Sequence, residues 1–225
     1  MFHDRILDQR TPGPWLDAGC GRRTFPDWRS RDEQALRAAG VRVVGCDTDV
    51  EALREYAPPG LVCAADLTSL PFGDETFRYV ISSMVFEHLV APGRAVEELA
   101  RVTCRGGRIL VHTVHSLHYL AFLARATPHR VHEWAVGKIE GRASVDVYPT
   151  CYRANSERRL ARLFEDNGCR RTWGGAITDL PVHVPYPGLF WVVLVWGVLE
   201  TRLARLPVLG QMLRPNLVME FERVD

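Results

Sequence analysis

Acidic residues follow three successive predicted strands near the start of the chain. Asp17 closes a short apolar run, and Asp47 and Asp66 close the next two strands. Because the carboxyl ends of parallel strands form one edge of an open sheet, we expect these carboxylates where such sheets bind ligands. An acid after the second strand can accept hydrogen bonds from ribose hydroxyls, and an acid after the third can meet an adenine amino group. The spacing predicts a nucleoside-binding slot.

A glycine-rich turn follows the first strand. Gly19 and Gly21 lack a Cβ atom, which lets a ligand approach the backbone. A dinucleotide-binding turn has a third glycine, at the position that Thr24 occupies here. Asp17 would also repel a pyrophosphate, whereas S-adenosylmethionine carries a sulfonium and an ammonium group. The turn favours S-adenosylmethionine over a dinucleotide.

Strands and helices alternate along the chain, joined by short connections, which is typical of a doubly wound α/β sheet. Hydrophobic patterns predict strands at residues 14–18, 41–46, 61–65, 77–82, 108–114, 171–177 and 217–224. They predict helices at residues 31–39, after an Asp49 cap, at 92–102, and after an Asn155 cap. The three glycine-turn residues 105–107 are expected to separate the third of these helices from the fifth strand.

Composition excludes several classes of protein. The chain has 225 residues, 47% apolar and 24% charged, which suits a single globular domain. A net charge of +1 predicts no general attraction to nucleic acid. The six cysteines include no C-x-x-C pair, so neither zinc nor disulfides are expected. No leader opens the sequence, which predicts a cytoplasmic protein.

The most apolar segment covers residues 189–199. It is shorter than the roughly 20 residues that cross a membrane. A buried or partner-facing helix is one interpretation. The other is a peripheral membrane contact through residues 189–205, in which Arg202 and Arg205 face the lipid headgroups.

Five motifs, in order and over residues 12–114, resemble those of class I S-adenosylmethionine-dependent methyltransferases, in particular the type 11 group. They are Trp15-Leu16-Asp17-Ala18-Gly19-Cys20-Gly21, Val44-Gly45-Cys46-Asp47, Asp66-Leu67 with Leu70-Pro71-Phe72, Val85-Phe86-Glu87-His88-Leu89, and Glu97 to Val102 with Arg105-Gly106-Gly107. The resemblance implies a Rossmann-like, seven-stranded, mostly parallel sheet with helices on both faces. It also implies an inserted segment after the fifth strand.

The resemblance assigns cofactor-binding roles by position. It places the methionine end beside Asp17, Gly19, Gly21 and Ser83, the ribose at Asp47, and the adenine at Asp66 and Leu67. Thr48 is a further cofactor-binding residue. Residues 115–152 and 178–210 would cover the acceptor site. Capping or turn formation is the alternative role for Asp47 and Asp66. Arg22 and Arg23 depart from the usual motif and are expected to narrow the cofactor entrance.

His88 follows the fourth strand, where an acceptor would meet the sulfonium. Its ordinary pKa suits a general base, and the alternative is a histidine that fixes the strand–helix corner. Met84 replaces the first glutamate of the metal-binding E-x-x-E-H pattern, so no metal is predicted. The histidines at 112, 115 and 118 are interpreted as surface residues, with an acceptor pocket as the alternative.

The predicted activity is direct SN2 methyl transfer to a small-molecule acceptor, such as a metabolite, a sugar or a lipid-like precursor. Three alternatives stay open. A catalytically silent methyltransferase-fold protein would keep the fold without binding the cofactor. An NAD-dependent oxidoreductase would need the missing glycine. A nucleic-acid methyltransferase would need a basic face. The sequence predicts no oligomeric state.

Overall fold

A computed structural model describes residues 2–9, 12–22, 34–36, 38–55, 61–118, 149–177, 195, 197–199, 202, 203, 206 and 212–225. The strands in this part of the chain are β1 (Gly13–Ala18), β2 (Val41–Asp47), β3 (Leu61–Ala64), β4 (Phe77–Ser83), β5 (Thr103–Val114), β6 (Cys169–Ile177) and β7 (Asn216–Arg223). The helices are α1 (Phe2–Gln9), α2 (Val50–Arg54), α3 (Pro92–Val102) and α4 (Glu157–Glu165).

The seven strands form one sheet in the order β3-β2-β1-β4-β5-β7-β6. Strands β1 to β5 pair in parallel, whereas β7 runs antiparallel to both β5 and β6. The predicted seven-stranded, mostly parallel, Rossmann-like α/β sheet is confirmed. The dinucleotide-binding fold has the strand order 3-2-1-4-5-6, so the antiparallel β7 between β5 and β6 separates this fold from it.

The strand order reverses at β1. From β1 the chain builds outward through β2 and β3, and β4 then pairs on the other side of β1. Ligands of open α/β sheets bind in the crevice outside the carboxyl ends of the strands at such a reversal. We call this side of the sheet the carboxyl edge, and the candidate site residues at the ends of β1, β2 and β4 lie on it.

Each face of the sheet has its own apolar core. The first packs α1 and the helical residues 34–36 against the sheet through Phe2, Ile6, Leu36, Trp15 and Tyr79. The second packs α3 and α4 against the opposite face through Val96, Leu99, Leu160 and Phe164. The two cores confirm the prediction of helices on both faces of the sheet.

Local sequence signals set several helix boundaries. Asp49 caps α2 as predicted, because its carboxylate accepts hydrogen bonds of 3.0 Å from the backbone of Glu51 and of Ala52. Pro92 begins α3, where its missing N–H costs nothing. The apolar stripe of α3 faces the second core as predicted.

The predicted Asn155 cap is wrong. Helix α4 begins at Glu157 with Ser156 at the cap position, and Asn155 is buried. Its side-chain amide donates instead to Thr113 Oγ1 at 2.7 Å and to the Val114 carbonyl at 3.0 Å, both on β5. A contact with a distant strand therefore replaces the local capping bond.

The predicted start of β5 is also wrong. The strand begins at Thr103, which pairs with Phe77, and regular pairing resumes where Arg108 meets Tyr79. Residues 104–107 bulge out of this register opposite Arg78, with Gly106 at φ +70°. The glycine turn exists, but it interrupts the strand instead of preceding it.

Several predictions fall outside the described residues. These are most of the helix at 31–39, residues 119–148 of the inserted segment, and most of residues 178–210. Within the described part of the chain, no helix has the length and apolarity needed to cross a membrane. The peripheral membrane contact through residues 189–205 stays a prediction.

Candidate functional site

The first glycine of the turn after β1 serves packing. Gly19 has φ +80°, and a Cβ atom built there would lie 2.2 Å from Val85 Cγ2. The backbone N–H groups of Gly19 and Cys20 both donate to the Cys46 carbonyl, at 2.8 and 3.0 Å. Only glycine fits this position, because the Val85 side chain occupies the space beside the Gly19 backbone where a ligand was predicted.

The second glycine of the turn faces open space. Gly21 has φ +52°, and a Cβ atom built there would meet nothing within 4 Å. Its N–H donates to Asp47 Oδ2 at 2.8 Å, which joins the turn after β1 to the end of β2. This open backbone beside a half-buried carboxylate is where the carboxyl edge can admit a ligand.

Asp47 and Asp66 both organise the turns that follow their strands. Asp47 Oδ1 accepts from the Asp49 N–H at 2.9 Å, in addition to the bond from Gly21. Asp66 Oδ1 accepts from both the N–H and the hydroxyl of Thr68, each at 2.8 Å. Turn formation, the alternative role for both acids, is present in the structure. A carboxylate offers about four lone-pair sites, so each acid can accept further hydrogen bonds from a ligand.

The neighbours of these acids differ in exposure. Thr48 is exposed beside Asp47, and Asp66 is itself exposed. The Leu67 side chain is buried in the second core, which leaves its backbone for any contact with a ligand. The Asp17 side chain is buried, and in the sheet Asp17 is in register with Gly45 of β2 and Ile81 of β4.

The two cysteines at this edge are protonated thiols. Burial raises the pKa of Cys46 to about 12, with the nearby carboxylates of Asp17 and Asp47 acting in the same direction. The pKa of Cys20 is raised for the same reasons. Because the thiolate is the reactive form, neither cysteine is a nucleophile at neutral pH.

Ser83 ends β4 beside His112 of β5, its partner in the strand register. The Ser83 hydroxyl lies 3.1 Å from His112 Nδ1, and the His112 ring packs against Phe2 of α1 with centroids 4.8 Å apart. The motif predicts a site role for Ser83 but not this partner, which only the pairing of β4 with β5 reveals.

His88 lies in the segment after β4, residues 84–90, which we call the corner. Its Nδ1 lies 2.9 Å from the Pro149 carbonyl oxygen, so Nδ1 carries the proton and donates. Its Nε2 lies 3.9 Å from Glu87 Oε1, and 29% of its side chain is exposed. His88 thus ties the corner to Pro149, which is the alternative role that the sequence offered.

Glu87 is a functional candidate that the sequence analysis did not name. It is only 2% exposed, and its Oε2 accepts a 2.6 Å hydrogen bond from Thr113 Oγ1. Burial raises the pKa of Glu87, against the opposing effects of the Thr113 hydrogen bond and the charge on His88. A glutamate followed by a histidine was visible in the sequence, but its burial was not.

The interpretation of all three histidines near 115 as surface residues is wrong. His115 and His118 are 2% and 3% exposed, and His112 is partly buried. His115 Nδ1 lies 3.2 Å from the Arg214 carbonyl oxygen. Burial and the neighbouring His115 lower the pKa of His118 to about 4, so His118 is neutral at physiological pH.

Arg22 lies against α2. Its Nε donates to Glu55 Oε2 at 2.7 Å, just after the end of the helix. Arg23 lies outside the described residues. Among the side chains that the structure describes, no group of three histidine, cysteine or acidic residues could hold a metal ion.

A cavity of about 400 Å³ lies over β6, away from the predicted cofactor residues. Arg171 pairs with Glu157 Oε1 at 2.7 Å within it, and Glu157 Oε2 accepts from the Ala176 N–H at 3.4 Å. The charges of Arg171 and Glu157 therefore neutralise each other. The cavity is lined by Glu157, Arg171, Trp173, Gly174, Gly175, Ala176, Ile177 and Arg214.

Comparison with known proteins agrees with the fold and the motifs. Residues 16–111 match the family model described as a methyltransferase domain. The chain is also similar in fold to a solved geranyl diphosphate methyltransferase in complex with SAM, with a TM-score of 0.60 and 14% identity. That similarity covers 98% of this chain and 84% of the other.

Two curated relatives align with less than half of the chain. Demethylmenaquinone methyltransferase of Paenarthrobacter aurescens is 37% identical over 100 residues, which are 40% of this chain and 40% of the relative. Malonyl-[acyl-carrier protein] O-methyltransferase of Erwinia billingiae is 35% identical over 117 residues, which are 47% of this chain and 41% of the relative. The aligned region thus spans about two fifths of the length of each relative.

The strand order, the carboxyl edge and these matches define a class I methyltransferase domain. Within that class, residues 16–111 match the type 11 group.

Proposed function

We propose that this protein transfers a methyl group from S-adenosylmethionine to a small-molecule acceptor. The observation that carries the proposal is the open backbone of Gly21 beside the half-buried carboxylate of Asp47, at the reversal point of the sheet. An open α/β sheet binds its ligand at this point.

The residues at this edge fit the chemical groups of the cofactor. Asp47 already accepts two backbone hydrogen bonds, and a carboxylate has capacity for ribose hydroxyls beyond these. The missing Cβ of Gly21 leaves room for the methionine portion. The buried carboxylate of Asp17, near the end of β1, is proposed to complement the positive charge of the cofactor. Thr48, Asp66, the Leu67 backbone and Ser83 are proposed to complete the site.

When bound, S-adenosylmethionine would supply a methyl group on a positively charged sulfur: an acceptor lone pair would bond to the methyl carbon as the carbon–sulfur bond breaks, with S-adenosylhomocysteine as the leaving group. The chain contributes alignment, because holding the reacting groups in one orientation lowers the barrier by several kcal/mol. For an acceptor that carries a hydroxyl, His88 accepts the proton at Nε2. Nδ1 is already committed to Pro149.

A small-molecule acceptor is the acceptor class that we propose. The two curated relatives are named for different acceptors, demethylmenaquinone and a malonyl group on acyl-carrier protein, so the likeness does not select one. The net charge of +1 gives no general attraction to nucleic acid. An acceptor screen that finds methylation of RNA alone would contradict this part of the proposal.

The first test is calorimetric titration of the whole chain with S-adenosylhomocysteine, with NAD as the control ligand. We expect micromolar binding of S-adenosylhomocysteine alone. Asp47→Ala should weaken that binding at least tenfold, since it removes the carboxylate assigned to the ribose. Asp74→Ala is the matched control, because Asp74 is an exposed carboxylate that pairs with Arg101 far from the turn. Equal affinity of the two variants would refute the ribose role, and absent binding in folded wild-type protein would refute the proposed cofactor.

A further inference from the structure

The carboxyl edge of the sheet has two halves with different chemistry. Strands β1, β2 and β3 end near Asp17, Asp47 and Asp66, so the half that receives the cofactor in our proposal is acidic. On the other side of the reversal point, the edge is formed by the ends of β4 and β5 and by the start of β7, because β7 runs antiparallel to β5. We call this second part the acceptor half.

The acceptor half carries little charge. Three segments extend the chain past its strand ends: residues 84–90 after β4, 115–118 after β5 and 212–215 before β7. They contain a single carboxylate, that of the buried Glu87, and a single guanidinium, that of Arg214. A charged acceptor therefore finds few complementary groups along these segments.

Each of the three segments exposes a large apolar side chain. Met84 is 42% exposed, Leu117 is 49% exposed and Met212 is 47% exposed. A single exposed apolar residue is ordinary on a protein surface. Exposed apolar residues at three neighbouring strand ends, next to a polar half of the same edge, are instead typical of a ligand-binding surface.

Backbone hydrogen bonds hold the three segments side by side. The N–H of Met84 donates to the carbonyl of His112 in β5 at 2.8 Å. The N–H of His115 donates to the carbonyl of Pro215 at 2.7 Å, which joins the segment after β5 to the segment before β7. The exposed apolar residues therefore belong to one continuous stretch of the edge.

The first of these residues adjoins the proposed cofactor site. Met84 follows Ser83, which our proposal places at the methionine end. Its φ of +58° lies in the left-handed region, which L side chains rarely adopt. Glycine fits such a backbone more easily, so a methionine here points to a use of its side chain. A flexible thioether adapts well to an apolar ligand.

The buried histidines after β5 add no positive charge to this half. Burial, together with the neighbouring His115, lowers the pKa of His118 to about 4, so its ring is neutral at physiological pH. Small-molecule sites are mostly apolar, with a few polar groups that orient the ligand. The acceptor half has this composition.

We propose that the acceptor has an apolar body, which lies against Met84, Leu117 and Met212. This inference rests on the proposed function and narrows its small-molecule acceptor to an apolar molecule with one nucleophilic group. The nucleophilic group belongs beside Ser83, at the junction of the two halves, and the apolar body extends along the edge towards β7.

The first test is a fluorescence titration of the whole chain with N-phenyl-1-naphthylamine, a neutral apolar probe. We expect saturable binding with micromolar affinity. Because each buried methylene favours binding, 1-octanol should displace the probe at a concentration at least about tenfold lower than 1-butanol. Glucose should not displace it. Absence of saturable probe binding in folded protein would overturn the inference.

Variants locate the bound probe. The double variant Leu117→Gln/Met212→Gln removes apolar contacts and should weaken probe binding at least about fivefold. Leu61→Gln is the matched control, because Leu61 is 76% exposed but lies on β3 at the other end of the sheet. Leu203→Gln tests a separate exposed apolar residue, in the helical residues 202 and 203.

Equal probe affinity of the double variant and Leu61→Gln would overturn the inference. Loss of probe binding in Leu203→Gln but not in the double variant would overturn it as well, because the probe would then bind elsewhere. If the double variant fails to fold, the single variants Leu117→Gln and Met212→Gln decide.

Titration with S-adenosylhomocysteine separates this inference from the proposed function. The double variant should bind S-adenosylhomocysteine as wild type does, and Asp47→Ala should keep its affinity for the probe. Micromolar S-adenosylhomocysteine binding without probe binding would refute the apolar acceptor and leave methyl transfer intact. Probe binding at these residues without S-adenosylhomocysteine binding would refute the proposed function, and with it the acceptor role of this surface.

The chemical readout is the destination of the methyl group. Whole protein is incubated with an extract of its native cells and with S-adenosylmethionine that carries tritium on the methyl group. We expect the labelled product to partition into heptane. A labelled product that stays in the aqueous phase would overturn the inference.

Discussion

Two buried glutamates on opposite faces of the sheet show how differently the fold treats the same residue. Glu220 of β7 is fully buried, and its carboxylate accepts from Arg5 at 2.6 and 3.1 Å and from Arg108 at 3.3 Å. Tyr79 and Thr172 donate to it as well. Glu220 is thus neutralised by permanent cations that cannot lose their protons, and it serves to join α1 to the sheet.

Among the described residues, no arginine or lysine pairs with Glu87. It has a hydroxyl on one oxygen and a histidine, whose charge depends on pH, near the other. The comparison shows that burial of a carboxylate does not itself indicate function. The partner decides, because arginine fixes the charge state whereas histidine leaves it adjustable.

The largest expected effect comes from Glu220→Gln. This substitution leaves Arg5 and Arg108 facing an uncharged amide on the first core. We expect the free energy of unfolding to fall by about 2–3 kcal/mol, as for the loss of one partner from a partly buried ion pair. Urea denaturation at pH 7 measures it.

Glu222→Gln on the same strand is the control for that prediction. Its carboxylate lies 3.7 Å from the largely exposed Arg170, and a pair of this kind contributes under about 1 kcal/mol. Equal losses of unfolding free energy in the two variants would mean that the Arg5–Glu220 pair stabilises the fold no more than an exposed ion pair does.

Glu87→Gln should change the free energy of unfolding in the opposite direction at neutral pH, that is, raise it. Because burial raises the pKa of Glu87 above its ordinary value of 4.5, the folded state binds this proton more tightly than the unfolded state. Wild-type stability relative to the variant is therefore greatest below pH 4.5 and declines as pH rises through the folded pKa. At pH 7.5 we expect the variant to be the more stable of the two proteins.

Urea denaturation of both proteins at pH 5 and pH 7.5 measures this difference. A variant that is less stable than wild type by the same amount at both values would make Glu87 an ordinary structural hydrogen-bonding residue. That outcome would remove the contrast with Glu220.

The smallest effect is expected from Tyr79→Phe. The Tyr79 hydroxyl donates to Glu220 Oε1 at 3.3 Å, and its loss should cost about 1 kcal/mol at pH 7. Burial and Glu220 raise the pKa of Tyr79 well above 10. Wild-type stability should consequently decline above pH 10 as the unfolded chain ionises, and the variant should lack that decline. Thermal melting of both proteins between pH 8 and 11 measures this decline. A parallel decline in wild type and variant would contradict the prediction.

The strands were predictable to within one or two residues, except where a strand tolerates an irregularity. Alternating apolar residues reveal β2 and β4 directly, because one face of each packs on each core. At β5 the glycines 106 and 107 predicted a turn, and the structure bulges there while pairing resumes at Arg108. Local sequence indicates that the backbone departs from regular geometry, but only the neighbouring β4 determines that the strand begins before the departure.

Asn155 illustrates the same limit for side chains. Its residue type and position before a helix predict a cap, but 1% exposure beside Thr113 makes it part of a buried hydrogen-bond chain. The buried His115 and His118 were misjudged for the same reason, since nothing in their spacing reports what covers them. Residues separated by some 40 positions meet only after the sheet has formed.

The sequence by itself determined the class of fold, the order of its strands and helices, and the acids and glycines of the carboxyl edge. These follow from local patterns, since hydrophobic period, turn residues and caps act over a few neighbouring positions. Tertiary structure decided that Gly19 makes room for Val85, that Gly21 faces open space, and that Glu87 is buried beside His88. Such properties depend on packing between segments far apart in the chain, where burial and the nearest charge determine what a side chain can do.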